Sequence, residues 1–246
     1  MTWLWRIFFS GALLVAAAPA LRSGSVSGRV ELHNSREPAV RKLRDYSGVV
    51  VSLWPAAEGA AAPAAPAAPA RHARMVQKNK TFTPHVLAIE VGTTVDFPNY
   101  DPIFHNAFSN YDGQVFDVGL YPPGSSRSVV FRRPGVVRVF CNIHSTMSAV
   151  IVVLPTPYFA TSRADGAFEM PAVPPGAYTL HVFHERATPA TLASLERRVA
   201  VPDGPLALGP LVISESGYLP IPHRNKYGRE YPPEAEDGTP YPATRK

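Results

Sequence analysis

An all-β fold class, arranged as two Greek-key type β-sandwiches, is what this chain of 246 residues predicts. Three observations carry that prediction. The 27 prolines and 17 glycines, against only 17% charged residues, disfavour long helices, because proline lacks the backbone N–H that a helix interior needs. Short runs of alternating or continuous apolar residues recur along the chain, as strands require. Turn-forming groups separate them: Val91-Gly92-Thr93, Tyr111-Asp112-Gly113, Pro122-Pro123-Gly124 and Arg133-Pro134-Gly135.

The segments follow in order. Residues 1–20 have one positive charge at Arg6, an apolar stretch over 7–18 and the small-residue ending Ala18-Pro19-Ala20, the pattern of a signal peptide cleaved near Ala20. A periodic strand pattern covers 25–32 (Val26, Gly28, Val30, Leu32), and a second strand covers 47–54. Residues 56–72 are dominated by alanine and proline and carry no large side chains for a core, so they read as a linker and a boundary. Within 73–154, strands are expected at 75–78, 86–91, 93–97, 126–131, 136–140 and 148–154. Residues 155–215 repeat the pattern, with an Asp165-Gly166 turn, a Pro174-Pro175-Gly176 turn, a strand to Phe183, and strands near 197–201 and 211–214. The remainder, 216–246, holds Tyr218, Tyr227, Tyr231 and Tyr241 among prolines and reads as an extended tail.

The signal pattern places the mature protein in the periplasm or outside the cell, with no stable membrane span after cleavage; Trp3 and Trp5 leave an uncleaved anchor as the alternative. That compartment constrains Cys141, the sole cysteine. It cannot close a disulfide within the chain, which leaves a free thiol, a bond to another chain or a metal. Cys141 opens the run Cys-Asn-Ile-His-Ser-Thr-Met, so thiolate, imidazole and thioether recur every third residue through His144 and Met147. The strand reading puts all three on the loop between 136–140 and 148–154, where one short segment can present them to one point. Thiolate and thioether favour Cu(I) and imidazole satisfies Cu(II), so the mixed set suits a copper ion that changes oxidation state. Zinc competes less well, because it usually takes no thioether. Packing of Met147 and an inert buried thiol remain the structural alternatives. Phe104-His105-Asn106 supplies a second imidazole from elsewhere in the chain.

Residues 80–154 resemble a cupredoxin, the plastocyanin and azurin type of blue-copper domain. The resemblance rests on Phe82-Thr83-Pro84, on Gly92-Thr93-Thr94-Val95-Asp96-Phe97-Pro98-Asn99, on His105-Asn106, on Pro134-Gly135 and on the CxxHxxM run. It implies one type 1 copper ion, with His105, Cys141 and His144 as equatorial ligands and Met147 as weak axial ligand. It further implies that Asn106 braces the ligand loops by hydrogen bonds. Only two residues separate His144 from Met147, fewer than in plastocyanin.

Asn142-Ile143-His144, residues 156–160 and residues 223–227 are similar to bacterial proteins labelled methylamine-utilisation or plastocyanin-like. Those proteins combine a cupredoxin with a carboxypeptidase-regulatory-like module. Residues 161–214 resemble that transthyretin-like sandwich but lack its first strands, which 24–55 would supply. The cupredoxin is therefore expected to be inserted into the second sandwich, and backbone pairing between 25–54 and 161–214 is the observation that tests it. A separate amino-terminal hairpin is the alternative.

Other chemistries find little support. The formal charge of +5 is scattered rather than gathered into a basic stripe, which argues against nucleic acid and leaves a mild preference for an acidic partner surface. There is no GxSxG, no HExxH and no pair of HxH repeats, so no enzyme is expected. His181 and His184 lie three apart on a strand, point to opposite faces and read as packing or edge residues. The function expected is single-electron transfer between Cu(II) and Cu(I), with a redox partner protein of unknown identity and electrons passing near the edge of His144. Copper storage or delivery, and a structural protein with a vestigial site, remain as alternatives.

Overall fold

The computed structural model describes residues 24–56, 71–110, 113–220 and 222–231. The expected signal peptide, most of the alanine-proline run and the tail past 231 lie outside the described residues. Strands β1 (Gly24–His33) and β2 (Val50–Pro55) come first, with helix α1 (Pro38–Leu43) between them. Ten strands follow: β3 (His72–Arg74), β4 (Val76–Lys78), β5 (Thr81–Thr83), β6 (Val86–Glu90), β7 (Thr94–Pro98), β8 (Phe108–Ser109), β9 (Phe116–Asp117), β10 (Ser126–Val130), β11 (Gly135–Phe140) and β12 (Ser148–Leu154). The last set is β13 (Phe159–Thr161), β14 (Ala167–Val173), β15 (Gly176–Phe183), helix α2 (Pro189–Leu195), β16 (Arg197–Val201), β17 (Leu206–Ala207) and β18 (Leu211–Ser214).

The fold is all-β, as the sequence predicts. The backbone pairing reaches across the whole middle of the chain: β1 runs antiparallel to β14 (Val26 opposite Met170) and parallel to β18 (Val30 opposite Leu211). Likewise β2 sits between β13 and β15, with Ser52 opposite both Phe159 and His181. Residues before and after β3–β12 therefore share sheets, and their inward residues, including Val26, Val51, Leu53, Phe168, Leu180 and Ile213, make one core. The Asp165-Gly166 turn closes on that core. Gly166 has φ +80°, and a side-chain carbon there would come within 2.2 Å of the Val30 carbonyl oxygen, so only glycine fits.

The middle strands build the other unit from the sheets β10-β7-β3 and β6-β12-β11-β8-β9 with the hairpin β4-β5. Met75, Phe82, Val95, Phe97, Phe131, Val137 and Ile151 fill its interior. Strand β12 explains why residues 149–154 are apolar without interruption. Ala149, Ile151 and Val153 face the inner core, while Val150, Val152 and Leu154 pack with Val50, Phe159 and Phe183 of the outer sheets. A strand buried on both faces has no polar side to show.

Two departures from the sequence reading have local causes. Met75 lies between β3 and β4 rather than in a strand, although it is fully buried. Both short helices were missed amid so much proline, yet each carries proline in its first turn, where the absent N–H costs nothing. Thr188 also caps α2, its side chain accepting from the Thr191 N–H at 3.2 Å.

Candidate metal centre

Strand alternation delivers the thiol. Val137 and Val139 point into the core, and Cys141, two residues further, continues on the same face and is 0% exposed. On the way back, Met147 precedes Ala149, Ile151 and Val153 on the core face of the next strand and is also 0% exposed. The loop between them is closed by its own backbone: Cys141 N–H donates to the Met147 carbonyl at 3.2 Å, and Met147 N–H to the His144 carbonyl at 3.3 Å. His105 arrives from a different direction. Its backbone exchanges two hydrogen bonds with Tyr121, at 3.2 and 2.9 Å. Tyr121 is in turn fixed by donating to the Phe97 carbonyl and accepting from Gln77.

These elements bring His105, Cys141 and His144 together, with their donor atoms all within 4.8 Å of one another. Cys141 Sγ lies 3.8 Å from His105 Nδ1 and 3.5 Å from His144 Nδ1. The two imidazole rings meet edge to face at 4.8 Å. An ion at the centre of three donors about 2.1 Å away needs them about 3.6 Å apart, a spacing that the two sulfur–nitrogen distances match. Met147 shares the buried cluster that contains Cys141.

The surroundings prepare each donor. Asp101, which the sequence reading did not single out, stands 2.7 Å from His105 Nε2. A carboxylate only accepts, so Nε2 carries the proton and Nδ1 turns its lone pair toward the thiol. Burial works to raise the Asp101 carboxyl, but the Lys80 N–H, His105 and the Asn79 N–H outweigh it and hold the group below its ordinary range. Burial pushes His105 down, with Asp101 opposing. Burial pushes the Cys141 thiol up, partly offset by the backbone N–H groups of Ile143, Asn106 and His144. Those three N–H groups favour the thiolate over the thiol, and a bound cation would complete the shift. The only early sign of Asp101 is its spacing, four residues before His105.

Asn106 is wholly buried, and its side-chain amide donates to Asp117 Oδ1 at 2.8 Å and to the Gly119 carbonyl at 2.9 Å. It thus ties His105 to the segment leading into Tyr121, while its backbone N–H serves the thiol. His144 is only 7% exposed, so the edge expected to face solvent is largely covered. His181 and His184 stay apart from this centre: His181 packs against Trp54 with its ring tilted, and His184 pairs with Glu215 at 2.9 Å. Among the described residues no helix is long and apolar enough to cross a membrane.

No protein-family model matches the chain. The methylamine utilization protein MauL of Methylorubrum extorquens is 39% identical over 59 residues, which is 24% of this chain and 52% of that protein. The chain thus spans about half the length of this curated relative. Among solved structures, it is similar to a purple cupredoxin from Nitrosopumilus maritimus, at 26% identity and a TM-score of 0.30 over 33% of this chain and 99% of that one. A copper-containing nitrite reductase from Thermus scotoductus is 24% identical, with a TM-score of 0.34 over 51% of this chain and 28% of the other. Amicyanin from Paracoccus versutus is 19% identical, with a TM-score of 0.32 over 36% of this chain and 86% of the other.

Proposed function

We propose that the protein is a type 1 copper protein that carries single electrons in the periplasm, with His105, Cys141 and His144 as equatorial ligands and Met147 as axial donor. The convergence of two imidazole Nδ1 atoms on one buried thiol sulfur is the observation that carries this reading. A thiolate beside two imidazoles is a donor set copper accepts in both oxidation states, and bound copper would supply the one-electron exchange. The protein's residues do the rest. Asp101 sets the tautomer of His105, the three N–H groups stabilise negative charge on Cys141, and the apolar cluster around Met147 keeps water out. A one-electron redox protein would be the partner, losing or gaining the electron that this chain gains or loses.

The likeness to a methylamine-utilisation protein supports a place in the redox chemistry of that process, and the amino-terminal pattern supports export. We assign residues 24–55 and 155–215 to a carboxypeptidase-regulatory-like module and 73–154 to the cupredoxin inserted in it, a division that the cross-chain pairing of β1 and β2 supports. The test is Cu(II) loading of the purified mature chain, followed by visible absorption and electron paramagnetic resonance. An intense thiolate-to-copper band lost in Cys141→Ser is expected. Uptake of Cu(II) only as a pale nitrogen-oxygen site, indifferent to Cys141→Ser, would refute the reading.

A further inference from the structure

The segment 222–231 lies against the Cys141 loop and holds it from outside. It is organised before it makes contact: Asn225 N–H donates to the Arg229 carbonyl and Gly228 N–H to the Asn225 carbonyl, both at 2.9 Å. The Asn225 side chain accepts from the Tyr227 and Arg229 N–H groups at 3.0 Å. From this loop three side chains reach back. The Tyr231 hydroxyl donates to the carbonyl of Cys141 at 2.8 Å. His223 stacks on Phe140 with ring centres 4.1 Å apart, and Tyr231 meets the His223 ring edge-on at 5.2 Å. The Lys226 backbone N–H donates to Asn142 Oδ1 at 3.0 Å, while its ammonium donates to Asp117 Oδ2 at 2.7 Å.

These contacts converge on the donors by two routes. Tyr231, His223 and the Lys226 backbone touch residues 140, 141 and 142, which are the end of β11, the thiol residue and its successor. The Lys226 ammonium touches the same carboxylate that accepts from Asn106, the residue after His105. Both sides of the donor triangle are therefore tied to one stretch of tail. Within residues 141–147 the backbone bonds to itself twice and the Ile143 and His144 N–H groups turn to the thiol, so an outside tie still has much to fix.

We propose that Tyr231 and Lys226 are positioning residues for the copper site, clamping the Cys141 loop and the His105-Asn106 segment in the geometry that holds the metal. This rests on the copper reading above. The experiment uses the full chain as wild type, Tyr231→Phe, Lys226→Arg and the double variant Tyr231→Phe with Lys226→Ala. Amide exchange over 140–147 is followed in the copper-free protein, and Cu(II) loss to a chelator and the reduction potential in the loaded one. A lost hydrogen bond of ordinary net worth opens a segment about 2- to 10-fold more often. Tyr231→Phe is expected to speed exchange and copper loss by that factor, and the double variant further. Exchange over 24–33 should change less than exchange over 140–147, and Lys226→Arg should match wild type. A blue wild type whose double variant shows unchanged exchange, copper loss and potential overturns the clamp and leaves the copper reading standing. A wild type with no thiolate-to-copper band overturns both.

Discussion

Asp101→Asn should raise the reduction potential of the copper-loaded protein. The carboxylate sits 2.7 Å from His105 Nε2, with His105 0% and Asp101 8% exposed in their side chains, so water does not screen the contact. An ionised acceptor makes the imidazole a stronger electron donor through Nδ1, and its negative charge favours the more highly charged Cu(II). Removing such a partner lowers metal affinity about 10- to 100-fold in other histidine sites. If that loss falls on Cu(II) while Cu(I) is held as before, the potential rises by about 60 to 120 mV, at about 59 mV for each tenfold in a one-electron couple. The amide is isosteric: with its oxygen in place of Oδ2 it still accepts from the Lys80 N–H and from His105 Nε2, while its NH2 takes the place of the oxygen that accepts from the Asn79 N–H. Should it turn its NH2 toward Nε2, the His105 proton would move to Nδ1 and copper uptake itself would fail. Potentiometric titration beside a chelator competition reads both effects. Copper affinity within twofold of wild type together with an unmoved potential would refute the coupling of Asp101 to the metal.

Met147→Leu should keep the thiolate-to-copper band and raise the potential, because a weak donor that stabilises Cu(II) is replaced by hydrocarbon of similar volume. An unchanged potential and spectrum would remove Met147 from the ligand set. The pair of His85 and Glu185, 2.8 Å apart, joins the two units, and its stability contribution should peak between pH 4.5 and 6.5. The hydrogen bond that His85 donates to Glu185 raises His85 above 6.5, so that contribution is complete below 6.5 and fades as pH climbs through the raised value. Burial opposes ionisation of Glu185, but His85 holds it below 4.5, so its contribution is complete above 4.5 and fades as pH falls through the lowered value. With His85 47% exposed in its side chain, the pair is worth about 1 kcal/mol at most. Urea unfolding of wild type and His85→Gln at pH 5.5 and 8.5 should show the difference shrinking at the higher pH; an equal or larger gap there would contradict the assignment.

What the sequence discloses and what it hides divide along range. Strands 148–154 and 197–201 are readable to the residue, because apolar content and turn punctuation are local. Cys141, His144 and Met147 are readable for the same reason, their spacing being a property of one seven-residue run. His105 is found only by pairing an isolated imidazole with that run. Asp101 is hidden, because an aspartate before a proline in a loop looks like turn chemistry until His105 folds over it. The tail is hidden too: tyrosines among prolines announce an extended segment and say nothing of the surface that receives it. The helices fall between these cases, since Thr188-Pro189 is a legible start but six or seven residues give no periodicity to confirm it.

The donor loop is too short to fix itself, and that accounts for the architecture around it. Its upstream end is held where Tyr231 donates to the Cys141 carbonyl, 90 residues away in sequence. Its downstream end is held where the His85 ring, steadied by Glu185 of the outer sandwich, meets the Ser148 carbonyl at 3.1 Å, one residue past Met147. Beyond Ser148 the chain enters β12, which is buried between the inner core and the outer sheets. Residues remote in sequence thus restrain both ends of a loop whose backbone-to-backbone bonds join Cys141, His144 and Met147 to one another. For the proposed copper site to serve two oxidation states with little rearrangement, its donors need restraint from outside, because each ligand that shifts on electron transfer adds to the barrier. In this chain the outer sandwich and the tail supply that restraint from opposite ends of the loop.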